Sequence, residues 1–151
     1  MRAFLLFFVL ASALSCGNDE VAFERGGAQV LCRKGFDSIR DDKPDDALAS
    51  FRQALLMRPK YAGAQYGIGS ALEEMGELEQ ALEAYDLAIE YDPEFALALW
   101  VRGLLLNEVG DEGEGDDDIE AAYELDPRLR PIEAGTLVVS NPSRRYEPWL
   151  H

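Results

Sequence analysis

Residues 62–95 read AGAQYGIGSALEEMGELEQALEAYDLAIEYDPEF, and this stretch decides the architecture. Its apolar positions recur at intervals of three and four, the spacing that gathers side chains on one face of an α-helix. Ile68, Leu72 and Met75 line a first helix, and Leu78, Ala81, Leu82, Tyr85, Ala88 and Ile89 line a second, with Gly76 ending the first. Gly69 and Ala81 have almost no side chain, so the two backbones can approach closely while Tyr85 fills the space beside them. Asp92-Pro93 stops the second helix, because the residue before a proline is pushed out of the helical region.

The same pattern extends in both directions at a period of 34 residues: Gly35, Gly69 and Gly103 share one phase, and Pro59, Pro93 and Pro127 share another. Ala47 precedes Phe51 by four as Ala81 precedes Tyr85, and Ala54, Ala88 and Ala122 follow in register. These residues resemble the tetratricopeptide repeat, a helix-turn-helix unit with a small residue where its helices cross, a large one nearby and a proline at its end. The resemblance implies an all-α, right-handed superhelical solenoid of three units, 28–61, 62–95 and 96–129, followed by a mostly extended basic and aromatic tail over 130–151. Leu31, Gln65 and Leu99 stand where the family has tryptophan, and Lys34, Ile68 and Arg102 where it has leucine before the glycine. In the third unit Gly115, Asp116 and Ile119 replace the crossing alanine, a leucine and the aromatic. Each mid-helix glycine costs about 1 kcal/mol relative to alanine, so the last helix is expected to begin late, near Asp116, and to fray there.

Members of this family bind peptides along the concave face made by the first helix of each unit. Carried over position by position, the resemblance places Phe36, Arg40, Tyr66, Ser70, Glu73, Glu74, Trp100, Leu104, Asn107 and Glu108 in that groove. For Tyr66 and Trp100, packing against a neighbouring helix competes with contact to a partner. The lysine, arginine and asparagine set with which some members clamp a partner's C-terminal carboxylate is absent, which argues against that chaperone-binding role.

Charge narrows the choice of partner. The chain carries 29 acidic and 14 basic residues, a net charge of -15, so nucleic acid and anionic membrane surfaces repel it. From Ala62 to Pro127 there are 19 acidic residues and one basic residue, Arg102. A protein or peptide partner of basic character is expected. The tail is basic, with Arg144 and Arg145 beside Tyr146 and Trp149. Two alternatives stand for it: Ser143 to His151 lies against the acidic body of its own chain or of a neighbour's and caps the open end, or it is a flexible terminus. No capping helix is expected, so the open face of the last helix must be covered by this tail, by another copy of the chain, which gives a route to self-association, or by a partner. The sole histidine is His151, no serine or cysteine has an identifiable base partner, and phosphate-binding loops and zinc-ligand clusters are lacking. No enzyme activity and no cofactor are expected. The acidic run 111–118 leaves a cation-binding role as an alternative, although its spacing is not that of an EF-hand.

The first 15 residues carry a second signal. Arg2 precedes the apolar run Phe4-Leu5-Leu6-Phe7-Phe8-Val9-Leu10, too short for the about 20 residues of a membrane span, and small residues follow. Ala13-Leu14-Ser15-Cys16 resembles the lipobox of bacterial lipoproteins, with Leu14 one place nearer the cysteine than usual. That resemblance implies a signal peptide over 1–15, lipidation of Cys16, a linker over 16–27, and an envelope location. Gly17 in place of aspartate favours the outer membrane, facing the periplasm. The alternative is cleavage after Ala11-Ser12-Ala13, giving a soluble exported adaptor in which Cys16 could pair with Cys32.

Overall fold

A computed structural model describes residues 26–110 and 113–130. Among them are six α-helices and one short 3₁₀ turn, and no strand. Helix α1 covers 26–40, α2 Pro44–Met57, α3 Ala62–Glu74, α4 Leu78–Tyr91, α5 Ala96–Val109 and α6 Glu114–Leu125, and η1 is Pro127–Leu129. Helix α1 is already formed at Gly26 and Gly27, ahead of Ala28, where the first register begins. Links of a few residues keep sequence neighbours adjacent, and each helix from α2 to α6 packs on the next. The result is the expected all-α solenoid of helix pairs.

The 34-residue period has a backbone counterpart at the turns. Asp42, Gly76 and Gly110 occupy the same phase and all have positive φ, at 60°, 78° and 106°. Glycine takes this left-handed conformation freely, and aspartate is among the side chains that tolerate it. The turn closes the same way in the first two units: Lys43 N–H donates to Ser38 C=O at 2.9 Å, and Glu77 N–H to Leu72 C=O at 2.9 Å. At the other end of each pair Arg58, Asp92 and Asp126 leave the helix, and their amides donate to Ala54, Ala88 and Ala122. The next residue in each case is proline, which fixes the exit.

Inside, Ala47, Ala54, Ala81, Ala88 and Ala122 are fully buried, as the repeat requires. An aromatic chain runs through the pairs: Phe36 meets Phe51 edge-on at 4.8 Å, and Tyr66 lies within 6.0 Å of Phe36, 5.7 Å of Tyr85 and 5.3 Å of Phe95. The glycines give these rings room. The Phe51 ring covers Gly35 and Gly67, and Tyr85 covers Gly69. Cys32, buried and free of any disulfide, is a core residue whose thiol is pushed up to about 12 by burial, against the opposing influence of Arg58 and a hydrogen bond with Tyr61.

In the third unit α6 begins at Glu114, within two residues of Asp116 and later in the 34-residue register than α2 at Pro44 and α4 at Leu78, and Gly115 is a buried residue of its first turn. Gly115 does not weaken the crossing, because it faces Gly103. A Cβ on either glycine would collide with the other's carbonyl oxygen, so the two backbones touch where the earlier units interpose an aromatic ring. Asp116 likewise has a partner, accepting a hydrogen bond from Asn107 Nδ2 at 3.0 Å.

Candidate functional site

The groove residues expected from the sequence separate into floor, surface and flank. Tyr66 and Ser70 are floor: Tyr66 is 1% and Ser70 2% exposed. The Tyr66 ring lies among three other rings, and the Ser70 hydroxyl is hydrogen-bonded to Tyr85 Oη at 3.4 Å. Both therefore lie beneath the surface, with almost no face open to contact. Asn107 is flank, because its amide is turned to Gly115 and Asp116 at the start of α6. Arg40 is exposed and paired with Asp37 on its own helix. Phe36 and Trp100 are half-buried, and Leu104 is 39% exposed.

The structure joins the acidic members of the set. Glu73, near the end of α3, is half-buried and accepts a hydrogen bond from Tyr85 Oη at 2.8 Å. Its carboxyl is held above the usual glutamate range, first by burial and then by the negative charges of Glu74 and Glu108, with the Tyr85 hydrogen bond opposing the rise. Glu108 comes from α5 and Glu74 from α3. The charges of Glu74 and Glu108 thus act on Glu73, and along α5 the exposed Leu104 stands one turn before Glu108 and the half-buried Trp100 one turn before Leu104. Such a surface favours a cation that carries apolar surface with it.

Sequence reasoning missed Arg102. It stands in α5 at the position held in the preceding unit by Ile68, and Asp118 in α6 stands where Ala84 does. Arg102 forms a two-pronged pair with Asp118, Nε to Oδ2 at 2.6 Å and Nη2 to Oδ1 at 2.7 Å, and reaches Asp86 of α4 with Nη1 at 2.7 Å. Its proton affinity is raised, chiefly by the Asp118 hydrogen bonds, which outweigh burial. One cation therefore ties α4, α5 and α6 together. The available signal was its isolation: one arginine among 19 acidic residues, 16 positions before an aspartate in an alanine's place.

Two members of the acidic run are engaged in the same way. Residues 111 and 112 lie outside the described residues, while Asp116 is bound by Asn107 and Asp118 by Arg102. Among the described residues no group of three or more histidine, cysteine, aspartate or glutamate side chains is arranged to hold a metal ion. Cys16, the leader and the tail over 131–151 also lie outside the described residues.

Comparison with known proteins agrees with this geometry. The tetratricopeptide repeat family profile matches residues 39–93 and 67–128, more than half of the chain. The chain belongs to the tetratricopeptide repeat family. A relative of known sequence is the chloroplastic tetratricopeptide repeat domain-containing protein PYG7 of Arabidopsis thaliana, 37% identical over 59 residues. The match spans 39% of this chain and only 20% of that protein. Among solved structures, the first TPR of Spaghetti (RPAP3) bound to the HSP90 peptide SRMEEVD aligns with a TM-score of 0.64 and 22% identity, covering 68% of this chain and 81% of that one. MamA aligns with a TM-score of 0.62 and 23% identity, covering 68% and 60%. At these identities the likeness is one of fold.

Proposed function

We propose that this protein is an interaction scaffold of the bacterial envelope, tethered by lipid at Cys16, that holds a basic peptide segment of a partner protein against α3 and α5. The observation that carries the proposal is the convergence of Glu73, Glu74 and Glu108 beside Leu104 and Trp100. A lysine or arginine of the partner would meet the carboxylates with its head and lay its aliphatic stem on Leu104. The peptide bound by the Spaghetti domain, SRMEEVD, is rich in acidic residues, and the carboxylate surface here would repel such a ligand. Same fold, opposite charge preference is therefore the expected outcome. Among the described residues no helix is long and apolar enough to cross a membrane, and the proposed link to the membrane is the lipid at Cys16.

Selection from a random peptide display library tests the groove. Enriched sequences should carry lysine or arginine next to an apolar residue, and their binding should weaken at least tenfold in the Glu73→Lys/Glu108→Lys chain. Enrichment of acidic C-termini, or binding indifferent to that variant, would overturn the assignment. Mass measurement of the mature N-terminus tests the tether separately: a Cys16 without diacylglyceryl would leave the soluble exported adaptor.

A further inference from the structure

A second concave feature lies away from the groove. A cleft of about 350 Å³ is lined by Leu82 and Asp86 of α4, Arg102 and Leu106 of α5, and Asp117 and Asp118 of α6. Three carboxylates surround one guanidinium there, leaving an excess of two negative charges between two leucine walls. Arg102 uses Asp118 fully but only one oxygen of the largely exposed Asp86. The cleft suits another arginine, with its stem on Leu82 and Leu106 and its head toward Asp117 and Asp86.

The course of the chain after α6 supplies a candidate. Helix η1 turns the chain, and Arg130 reaches back ten residues to Glu120 at 2.6 Å, its guanidinium 5.2 Å from the Tyr123 ring centre. Glu120 and Asp117 are three apart, so they share a face of α6. The guanidinium of the last described residue therefore lies on the face of α6 that also carries a wall of the cleft. Arg144 follows Arg130 by 14 positions, and at about 3.3 Å per extended residue that is roughly 46 Å of reach. A 12-residue helix such as α6 is about 18 Å long. The stretch from Ser140 to Tyr146 holds two arginines and no acidic residue, against 19 acidic residues and one basic residue from Ala62 to Pro127.

We propose that residues 131–151 return along α6 of their own chain and seat the Arg144-Arg145 pair in the cleft between α4 and α6, with Tyr146 and Trp149 against the adjoining helix surface. The tail then covers the last helix pair, and the pairing is electrostatic and weakens with salt.

Trp149 reports on this directly in a full-length Trp100→Phe chain, where it is the sole tryptophan. Its emission should be blue-shifted and shielded from acrylamide at low salt, and either Asp117→Arg or Arg144→Glu/Arg145→Glu should abolish the shielding. Combining the two, which swaps the charges, should restore it. Trypsin cleavage after Arg144 and Arg145 in the unaltered chain gives a second measure, expected to be at least tenfold faster in Asp117→Arg. A solvent-exposed Trp149 with rapid cleavage at low salt would overturn the proposal. So would shielding that survives Asp117→Arg but is lost in Glu73→Lys/Glu108→Lys, which would put the tail in the groove. Shielding lost on dilution would make the occupant's source a second copy and would equally overturn it.

Discussion

Replacing Arg102 tests how the third unit holds together. In Arg102→Leu the two bonds to Asp118 and the one to Asp86 disappear, and Asp118, whose side chain is 12% exposed, is left without its cation. Breaking a fully buried pair by removing one partner costs about 3–5 kcal/mol. Arg102 is 23% exposed, so water relieves part of that penalty, and Asp86 is 61% exposed and adds little. The expected loss is therefore about 2–3 kcal/mol. Asp118→Ala should cost less, about 1–2 kcal/mol, because Arg102 keeps Asp86 and gains water. The double variant Arg102→Leu/Asp118→Ala places an aliphatic residue and an alanine at the positions of Ile68 and Ala84 in the preceding unit. It should lie within about 1 kcal/mol of the parent, since an apolar pair of suitable size often replaces a buried ion pair at no net cost. Urea denaturation of the four proteins measures the cycle. In thermal melts each kcal/mol corresponds to about 4–8 °C for a domain of this size. If the double variant loses the sum of the single losses to within about 0.5 kcal/mol, Arg102 and Asp118 are not coupled and the clamp is refuted.

Four further outcomes follow from the geometry. Gly115→Ala restores the residue found at Ala47 and Ala81 and improves helix propensity, yet it should destabilise the fold by about 1–3 kcal/mol as overpacking, because the new Cβ meets the Gly103 carbonyl oxygen; a rise in melting temperature would show that the helices can part. Glu73→Gln should raise stability at neutral pH: a carboxyl whose folded pKa lies above its unfolded one contributes stability that is present below the ordinary glutamate range and lost as pH rises through the raised value. The parent-minus-variant difference, followed from pH 4 to 8 by thermal melts, should grow more unfavourable over that interval, and a flat difference would contradict it. Binding of a lysine-containing peptide should begin to fall, as pH is lowered, above the ordinary glutamate range, because Glu73 takes up its proton early. In a Cys16→Ser chain, Cys32 should resist thiol reagents until the protein unfolds, since its thiol is buried and pushed up to about 12.

The fold was legible because the chain repeats its local rules. Small residues at helix crossings, prolines after helix exits and apolar positions at three and four recur often enough that a substitution at one position leaves the pattern intact. Asp42 illustrates the margin: it occupies the same left-handed turn as Gly76 and Gly110, and only the period relates an aspartate to two glycines. In the third unit the late start of the last helix follows from its glycines, but substitutions taken singly do not show how they compensate one another. Gly115 reads as a defect until Gly103 is seen opposite it, and Arg102 and Asp118 read as two departures until they are seen to be one pair. Compensation across a helix interface has no signature at any single position. For the same reason the groove was legible as a face but not as a surface. Counting positions placed Tyr66, Ser70 and Glu73 on one side of α3, but whether each is floor or contact depends on the ring packing around it. Tyr85 decides the matter locally, because its hydroxyl bonds both Ser70 and Glu73, keeping the first below the surface and fixing the second at its edge. The chemistry of the proposed groove is thus set in part by a residue of α4 that is itself fully buried, so Tyr85→Phe should leave the helices in place while freeing the Glu73 carboxylate. With that opposing hydrogen bond gone, the Glu73 pKa should rise further, and peptide binding should fail at a higher pH than in the parent; an unchanged pH profile would mean that the Tyr85 bond does not govern the site.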